Sequence, residues 1–270
     1  MMETQAGTEK TTSAMGRMLA LVYGAVSYLI FIVAAFYAIG FVGDLIGPKT
    51  IDTGPAVPFI HALLIDALLL ALFAIQHSVM ARPAFKRWWT TIIPRSIERS
   101  TFVLFASLLL LLLYRQWLPM PTVIWDAQHT AVGMLLQGLY FVGWLIVFLS
   151  TFLINHFDLF GLRQVYVNWR GSQYTSPDFK IPALYKLVRH PLMLGFLIAF
   201  WATPRMTVGH LIFSLATTGY ILVGIHLEEG DLLAVYGETY RHYQQRVSML
   251  LPLPKKPANP PETDAATRGE

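Results

Sequence analysis

No cysteine occurs among the 270 residues, so disulfides, thiolate metal sites and a covalent cysteine intermediate are excluded. Charged residues are also scarce: they make up 13% of the chain, whereas a soluble domain carries about a quarter. Hydrophobic residues account for 55%. The chain is therefore predicted to be an integral membrane protein that has the lipid bilayer as a partner. Its small net charge of +4 gathers in particular loops, which indicates a membrane topology signal and no nucleic-acid surface.

Long apolar runs, ended by charged residues or by Gly and Pro, predict an all-α polytopic helical bundle. Four spans are predicted at about 18–42, 59–80, 101–117 and 130–154. The last apolar block is interrupted near residues 203–206, Thr-Pro-Arg-Met, which predicts a helical hairpin with arms 191–202 and 207–227. The second arm is expected to continue as a cytoplasmic helix through Tyr243. Hydropathy alone leaves five spans or six.

Two loops carry net positive charge, residues 82–99 and residues 155–189. The positive-inside rule places such loops on the cytoplasmic side, so both termini are predicted to be cytoplasmic.

Charged residues stand at both ends of the predicted hairpin. Arg189 and His190 precede a helix that begins at Pro191, and Glu228 and Glu229 end the opposite arm. Ionisable residues near membrane depth usually face a partner or a cavity, and a helix start beside Arg and His suits an anion. The two clusters are therefore predicted to lie close together as the walls of a pocket for a ligand with a carboxylate and positive charge. The alternative is that they are interfacial charges that pair or reach towards water.

Three stretches together carry a family signature: residues 189–195 (Arg-His-Pro-Leu-Met-Leu-Gly), the pair Glu228–Glu229, and residues 236–243 (Tyr-Gly-Glu-Thr-Tyr-Arg-His-Tyr). They resemble the isoprenylcysteine carboxyl methyltransferase and phospholipid methyltransferase superfamily. Met193 and Tyr236 replace a Tyr and a Phe that are frequent there. The resemblance implies S-adenosyl-L-methionine as cofactor. The residues it implies in cofactor binding are Tyr185, Arg189, His190, Pro191, Leu194, Gly195, Glu228, Glu229 and Tyr240.

A second resemblance extends over nearly the whole chain. Residues 37–43, 74–86 and 155–164 resemble the bacterial methanethiol S-methyltransferases, which are related to the NnrU-like membrane proteins. This resemblance implies methyl transfer from S-adenosylmethionine to the small thiol methanethiol, giving dimethyl sulfide, in the bacterial cytoplasmic membrane. Four regions are then expected: a disordered tail (1–15), a four-helix transmembrane region (16–154), a cofactor-binding methyltransferase core (155–252) and a second disordered tail (253–270).

Polar residues at the end of the fourth span are the candidates for handling the thiol. The thiolate is the nucleophile, so the thiol must lose its proton. His156 and Asp158 are predicted to remove that proton together, and Arg163 to favour the thiolate. Asn155, Gln164 and Tyr166 are predicted on the substrate side. The alternative is a polar helix cap, in which Asn155 or Asp158 binds free backbone groups.

Three other functions stay open. A methyltransferase could act on an isoprenylcysteine carboxylate or a lipid amine. Several histidines lie in or near apolar segments, and a facing pair could ligate haem. The chain could also be a non-enzymatic, NnrU-like accessory protein. No metal is expected for the methyltransferase.

Overall fold

The computed structural model describes residues 13–45, 47–175 and 180–253. The helices are α1 (Ala14–Val42), α2 (Phe59–Ala81), α3 (Pro83–Trp89), α4 (Arg95–Gln116), α5 (Ala131–Ile154), α6 (His156–Leu159), α7 (Leu162–Trp169), α8 (Pro191–Trp201), α9 (Val208–Tyr236) and α10 (Glu238–Arg246). A 3₁₀ turn covers Ala183–Lys186, and two short strands are β1 (Val123–Asp126) and β2 (Arg205–Thr207). The predicted tails fall almost wholly outside the described residues. Ser13 caps α1 by accepting a hydrogen bond from the amide of Gly16 at 3.1 Å.

Five of the described helices, α1, α2, α4, α5 and α9, are long and apolar enough to cross a bilayer. They contain 22 to 29 residues, and about 20 are needed. The first arm of the predicted hairpin is α8, which has only 11 residues. At about 1.5 Å per residue, α8 is roughly half as long as the hydrocarbon core is thick. The predicted helical membrane bundle is confirmed, with five candidate spans in the described residues.

One compact unit consists of α1 to α4 with α6 and α7. Within it, α1 packs against α4 and α7, and α2 packs against α4. Gly161 precedes α7 with a φ of +89°, a backbone conformation that favours glycine. A Cβ at this position would also lie 2.7 Å from the amide nitrogen of Ser100. The residue therefore allows the start of α7 to approach α4 closely.

The second unit contains α5, α8, α9, α10 and the two strands. Here β1 and β2 pair antiparallel, with Val123 opposite Thr207 and Asp126 opposite Arg205. No pattern in the sequence indicated this pairing. It lies where the chain turns between α8 and α9, at the predicted interruption of the last apolar block.

The predicted continuation of the second arm is confirmed as far as Tyr236, but an unbroken helix through Tyr243 is wrong. Helix α9 ends at Tyr236, and α10 begins at Glu238. Gly237 between them has a φ of +52°, which breaks the helix at a residue that adopts this conformation without a Cβ clash. Tyr240 and Tyr243 therefore do not continue the face of α9 that carries Glu229.

Small residues bring α5 and α8 together. A Cβ on Gly143 of α5 would lie 2.6 Å from the amide nitrogen of Ala199 and 2.8 Å from the carbonyl oxygen of Gly195. A Cβ on Gly195 of α8 would lie 2.7 Å from the carbonyl oxygen of Gly143. Membrane helices commonly associate through such small residues, which let backbones approach.

We expect Gly143→Ala to lower the thermal midpoint of the detergent-solubilised protein by about 5 °C or more, because the added methyl group overlaps backbone that cannot move freely. Gly138 is the matched control, since it lies on the same helix and a Cβ there would meet nothing within 4 Å. Gly138→Ala should leave the midpoint unchanged or raise it, because alanine favours the helix. Equal midpoints for the two variants would contradict the close α5–α8 contact.

Candidate active site

The two charged clusters of the predicted hairpin meet in the second unit. Arg189 Nε donates to Glu229 Oε1 at 2.7 Å, and His190 Nε2 lies 3.0 Å from the same oxygen. His190 Nδ1 lies 3.5 Å from Glu228 Oε2. The predicted proximity of the basic start of α8 and the acidic part of α9 is therefore confirmed.

Arg189 is held by more than its ion pair. Its Nη1 donates to the carbonyl oxygen of Val247 at 2.6 Å and to that of Gln244 at 3.3 Å. The residue is 9% exposed. A buried guanidinium that lost Glu229 would keep an uncompensated charge, which typically destabilises a protein by about 3–5 kcal/mol. Arg189 therefore joins the start of α8 to α9 and to the end of α10.

Backbone hydrogen bonds fix the entry to α8. The amide of Arg189 donates to the carbonyl oxygen of Ser248 at 2.8 Å, and the amide of His190 donates to that of Met249 at 3.1 Å. Pro191 occupies the first turn of α8, and no side chain caps it. As predicted from the sequence, Pro191 fits where its missing N–H does no harm, and the positive end of the helix dipole suits an anion.

The adjacent carboxylates differ in exposure. The side chain of Glu229 is 15% exposed, whereas that of Glu228 is 50% exposed. Burial acts to lower the pKa of His190, but its hydrogen bonds with Glu228 and Glu229 and their charges outweigh burial, and the pKa is raised above its usual value. The cluster therefore favours an imidazolium between two carboxylates.

Three tyrosines surround this cluster. Tyr243 donates its hydroxyl to the carbonyl oxygen of Tyr185 at 2.6 Å, and its ring meets that of Tyr240 edge-on at 5.8 Å. Burial is the main cause that raises the pKa of all three phenols, to about 12 for Tyr243. Tyr240, predicted to contact the cofactor, is only 1% exposed and packs within the protein. Its position is explained by packing.

Two further predicted cofactor residues lie on α8. Gly195 is at the contact with α5, where its lack of a side chain is required by helix packing. Helix packing thus gives the glycine of the signature a structural reason, and its role in cofactor binding stays a prediction. Leu194 is half-buried one residue earlier.

The other set of predicted residues lies in the first unit around Asp158. Asp158 Oδ2 accepts from Arg163 Nη1 at 2.9 Å. Its Oδ1 accepts from Gln164 Nε2 and from the hydroxyl of Tyr174, each at 2.8 Å. The structure thus brings together three predicted residues and adds Tyr174, which no local pattern in the sequence indicated. The carboxylate is buried and holds α6, α7 and the following segment together.

His156 and Asp158, predicted to remove the thiol proton together, have different hydrogen-bond partners on α6, and their joint role stays a prediction. His156 Nε2 lies 2.7 Å from the hydroxyl of Tyr28 on α1, whereas Asp158 binds Arg163, Gln164 and Tyr174. Burial lowers the pKa of His156 and so favours the neutral ring. Tyr28 was missed because it lies far away in sequence, within an apolar span.

The remaining substrate-side predictions have structural explanations. Asn155 caps α6, since its side chain accepts from the amide of Asp158 at 3.4 Å. This is the helix-cap alternative raised from the sequence. Tyr166 is half exposed, and its ring lies 5.9 Å from that of Trp169 on the same helix.

Comparisons with known proteins identify the family. A methanethiol S-methyltransferase from Mycobacterium tuberculosis is 57% identical over 90% of this chain and 99% of its own length. Methanethiol S-methyltransferase 1 from Bradyrhizobium diazoefficiens is 56% identical over 91% of this chain and 86% of its own length. The chain belongs to the methanethiol S-methyltransferase family. The predicted family and enzyme class are confirmed, and the protein is a methyltransferase.

A distant relative of the family, Nurim from Rattus norvegicus, is 31% identical over 66% of this chain and 71% of its own length. It fits the wider membrane methyltransferase superfamily. No family model and no solved structure matches the chain.

The part of the chain that the structure describes contains no group of three or more His, Cys, Asp or Glu able to hold a metal ion. Two histidines of the haem hypothesis have other neighbours: the ring of His77 lies 4.8 Å from that of Phe102, and His210 Nε2 lies 2.9 Å from the carbonyl oxygen of Phe200. The haem hypothesis itself stays untested.

The raised pKa of His190 predicts a pH-dependent stability. His190 binds its proton more tightly in the folded protein than in the unfolded chain, so its protonation stabilises the fold. This stabilisation is complete below the usual histidine pKa of 6.5 and is lost as the pH rises through the higher pKa of the folded protein. The thermal midpoint should therefore fall as the pH rises from about 6 to about 8.5. His190→Asn should flatten this slope. His242→Asn, at an exposed position on α10, should keep it. The same slope in all three proteins would contradict the assignment.

Proposed function

We propose that the protein transfers a methyl group from S-adenosylmethionine to methanethiol, giving dimethyl sulfide. The observation that carries this proposal is the 57% identity with a methanethiol S-methyltransferase over nine-tenths of the chain. The lipid-substrate alternative has no relative of comparable identity among these comparisons. The cluster around Glu229 supports a donor site in the second unit.

The chemistry of the donor set fits the proposed cofactor. S-adenosylmethionine carries a carboxylate, an ammonium group and a positive sulfonium sulfur. Glu228 has a half-exposed carboxylate that suits positive charge, and the start of α8 at Pro191 suits a carboxylate. Arg189 and His190 stand beside that helix start, and Glu229 holds both. We assign Glu228 and the first turn of α8 to direct contact, and Glu229 to orienting its neighbours.

When bound, S-adenosylmethionine supplies a methyl group already activated by its sulfonium sulfur. The protein has mainly to align the reactants and exclude water. On the acceptor side we propose His156 as the group that takes the thiol proton, because its lowered pKa favours the neutral ring, the form that accepts a proton. The hydroxyl of Tyr28 orients that ring. Arg163 forms an ion pair with Asp158, so we assign it to joining α7 to α6. Its partly exposed guanidinium would also stabilise the negative charge of the thiolate.

We further propose that the protein lies in the bacterial cytoplasmic membrane with both termini in the cytoplasm. The support is the basic segment that follows α2, in which Arg82, Lys86 and Arg87 stand beside Trp88 and Trp89. Positive charge marks cytoplasmic loops, and tryptophan is frequent at the membrane interface.

Methyl transfer can be tested with labelled donor. We expect purified protein in lipid nanodiscs, supplied with methanethiol and S-adenosylmethionine carrying a trideuteromethyl group, to form dimethyl sulfide with one deuterated methyl group. Headspace gas chromatography with mass spectrometry measures this product. Nanodiscs without protein are the control. Folded protein that formed no labelled dimethyl sulfide above this control would overturn the proposal, and label in a prenylcysteine or lipid amine would favour the lipid alternative.

The two assigned roles predict different kinetic changes. Glu228→Gln should raise the Kd for S-adenosylmethionine about tenfold, because it removes one charge-assisted contact. His156→Ala should lower kcat by about a hundredfold with little change in that Kd. Isothermal titration calorimetry measures the Kd, and headspace analysis measures kcat.

Glu238→Gln is the control for Glu228→Gln, since Glu238 lies on α10 in an exposed ion pair with Arg241. It should change neither quantity. An unchanged Kd in Glu228→Gln would remove Glu228 from the donor site.

A further inference from the structure

Gln244 contacts both members of the Arg189–Glu229 ion pair. Its side-chain Nε2 donates to Glu229 Oε2 at 2.8 Å, and its backbone carbonyl oxygen accepts from Arg189 Nη1 at 3.3 Å. The residue lies on α10, directly after the signature tyrosine Tyr243. Nothing in the family pattern includes it.

The two carboxylate oxygens of Glu229 have different partners. Oε1 accepts from Arg189 and lies within hydrogen-bond distance of His190, and Oε2 accepts from Gln244. The terminal torsion of a glutamate is soft, so the plane of its carboxylate turns easily unless something fixes it. A donor on Oε2 fixes that plane and keeps Oε1 directed at Arg189 and His190.

We propose that Gln244 is a positioning residue of the donor site. By fixing Glu229, it holds Arg189 and His190 at the start of α8 and leaves the half-exposed Glu228 as the carboxylate that meets the positive groups of the donor. This inference rests on the proposed function. Gln244 acts through Glu229 and does not itself contact the donor.

The Gln244 side chain is not required to attach α10 to the rest of the second unit. Helix α10 has a separate attachment, because Tyr243 donates its hydroxyl to the carbonyl oxygen of Tyr185 at 2.6 Å. Arg189 also binds the backbone of Val247, just beyond the helix. Replacing the Gln244 side chain removes neither contact, so α10 should remain docked.

A substitution of nearly equal shape separates the two roles. In Gln244→Glu, a protonated carboxyl still donates to Glu229 Oε2, whereas an ionised one places a second negative charge against it. Two carboxyl groups at this distance share one proton, and the pKa of the pair is raised. The groups that already face Glu229 are the same in every variant; they are Arg189, His190, Glu228, Tyr240 and Tyr243.

The expected result is a pH-dependent change in KM. For Gln244→Glu, the KM for S-adenosylmethionine should match the wild type at about pH 5.5 and exceed it about tenfold at about pH 8, with kcat within about twofold. Gln245→Glu is the matched control, because it adds the same charge at the next, exposed position of α10. Its KM should follow the wild type at both pH values.

A second variant guards against misfolding. Gln244→Leu loses the hydrogen bond at every pH, so its KM should be raised at both pH values, and its thermal midpoint without ligand reports whether it folds. If both Gln244 variants kept the wild-type KM throughout, the inference would be overturned while methyl transfer by the wild type stood. A wild type that formed no dimethyl sulfide would overturn the proposed function, and the positioning role would fall with it.

Discussion

The arrangement of charged residues in the second unit depends on the contacts of the Glu229 carboxylate. It joins Arg189 and His190, which precede α8, to Gln244 of α10, while Glu229 itself belongs to α9. Three elements therefore converge on one side chain that is 15% exposed. A charge in such surroundings is tolerated only when its partners are well placed, and losing one partner leaves the others uncompensated. Residues of the three signature stretches meet at this junction.

The neighbouring positions of Glu228 and Glu229 give the two carboxylates different surroundings. Consecutive residues on an α-helix point about 100° apart, since a turn contains about 3.6 residues. One side chain can therefore turn inward to hold Arg189, while the next remains half exposed. His190 touches both and balances their charge. Under the proposed function, a ligand with positive charge would meet Glu228, the more exposed of the two carboxylates.

The sequence was sufficient for the parts of this arrangement that follow from local rules. Apolar runs located the five long helices, and the interruption before Val208 correctly placed Arg189 near Glu229. The sequence did not reveal contacts that depend on distant residues, such as Tyr28 with His156. It also misled about Gly237, because a lone glycine within a helical pattern does not show whether the helix continues. The sequence also did not show that Asp158 binds Arg163, Gln164 and Tyr174, because folding brings these side chains together.

Side chains satisfy the backbone carbonyl groups at the end of the short helix α8. Helix α8 is roughly half as long as the hydrocarbon core is thick, and carbonyl groups that end inside that core need hydrogen-bond donors from the protein. The carbonyl oxygen of Phe200 accepts from Ser214 Oγ at 2.7 Å and lies 2.9 Å from His210 Nε2, and that of Thr203 accepts from Trp125 Nε1 at 3.2 Å. The pairing of β1 with β2 satisfies the next backbone groups. These bonds hold the turn from α8 into α9, and α9 then brings Glu229 back to Arg189.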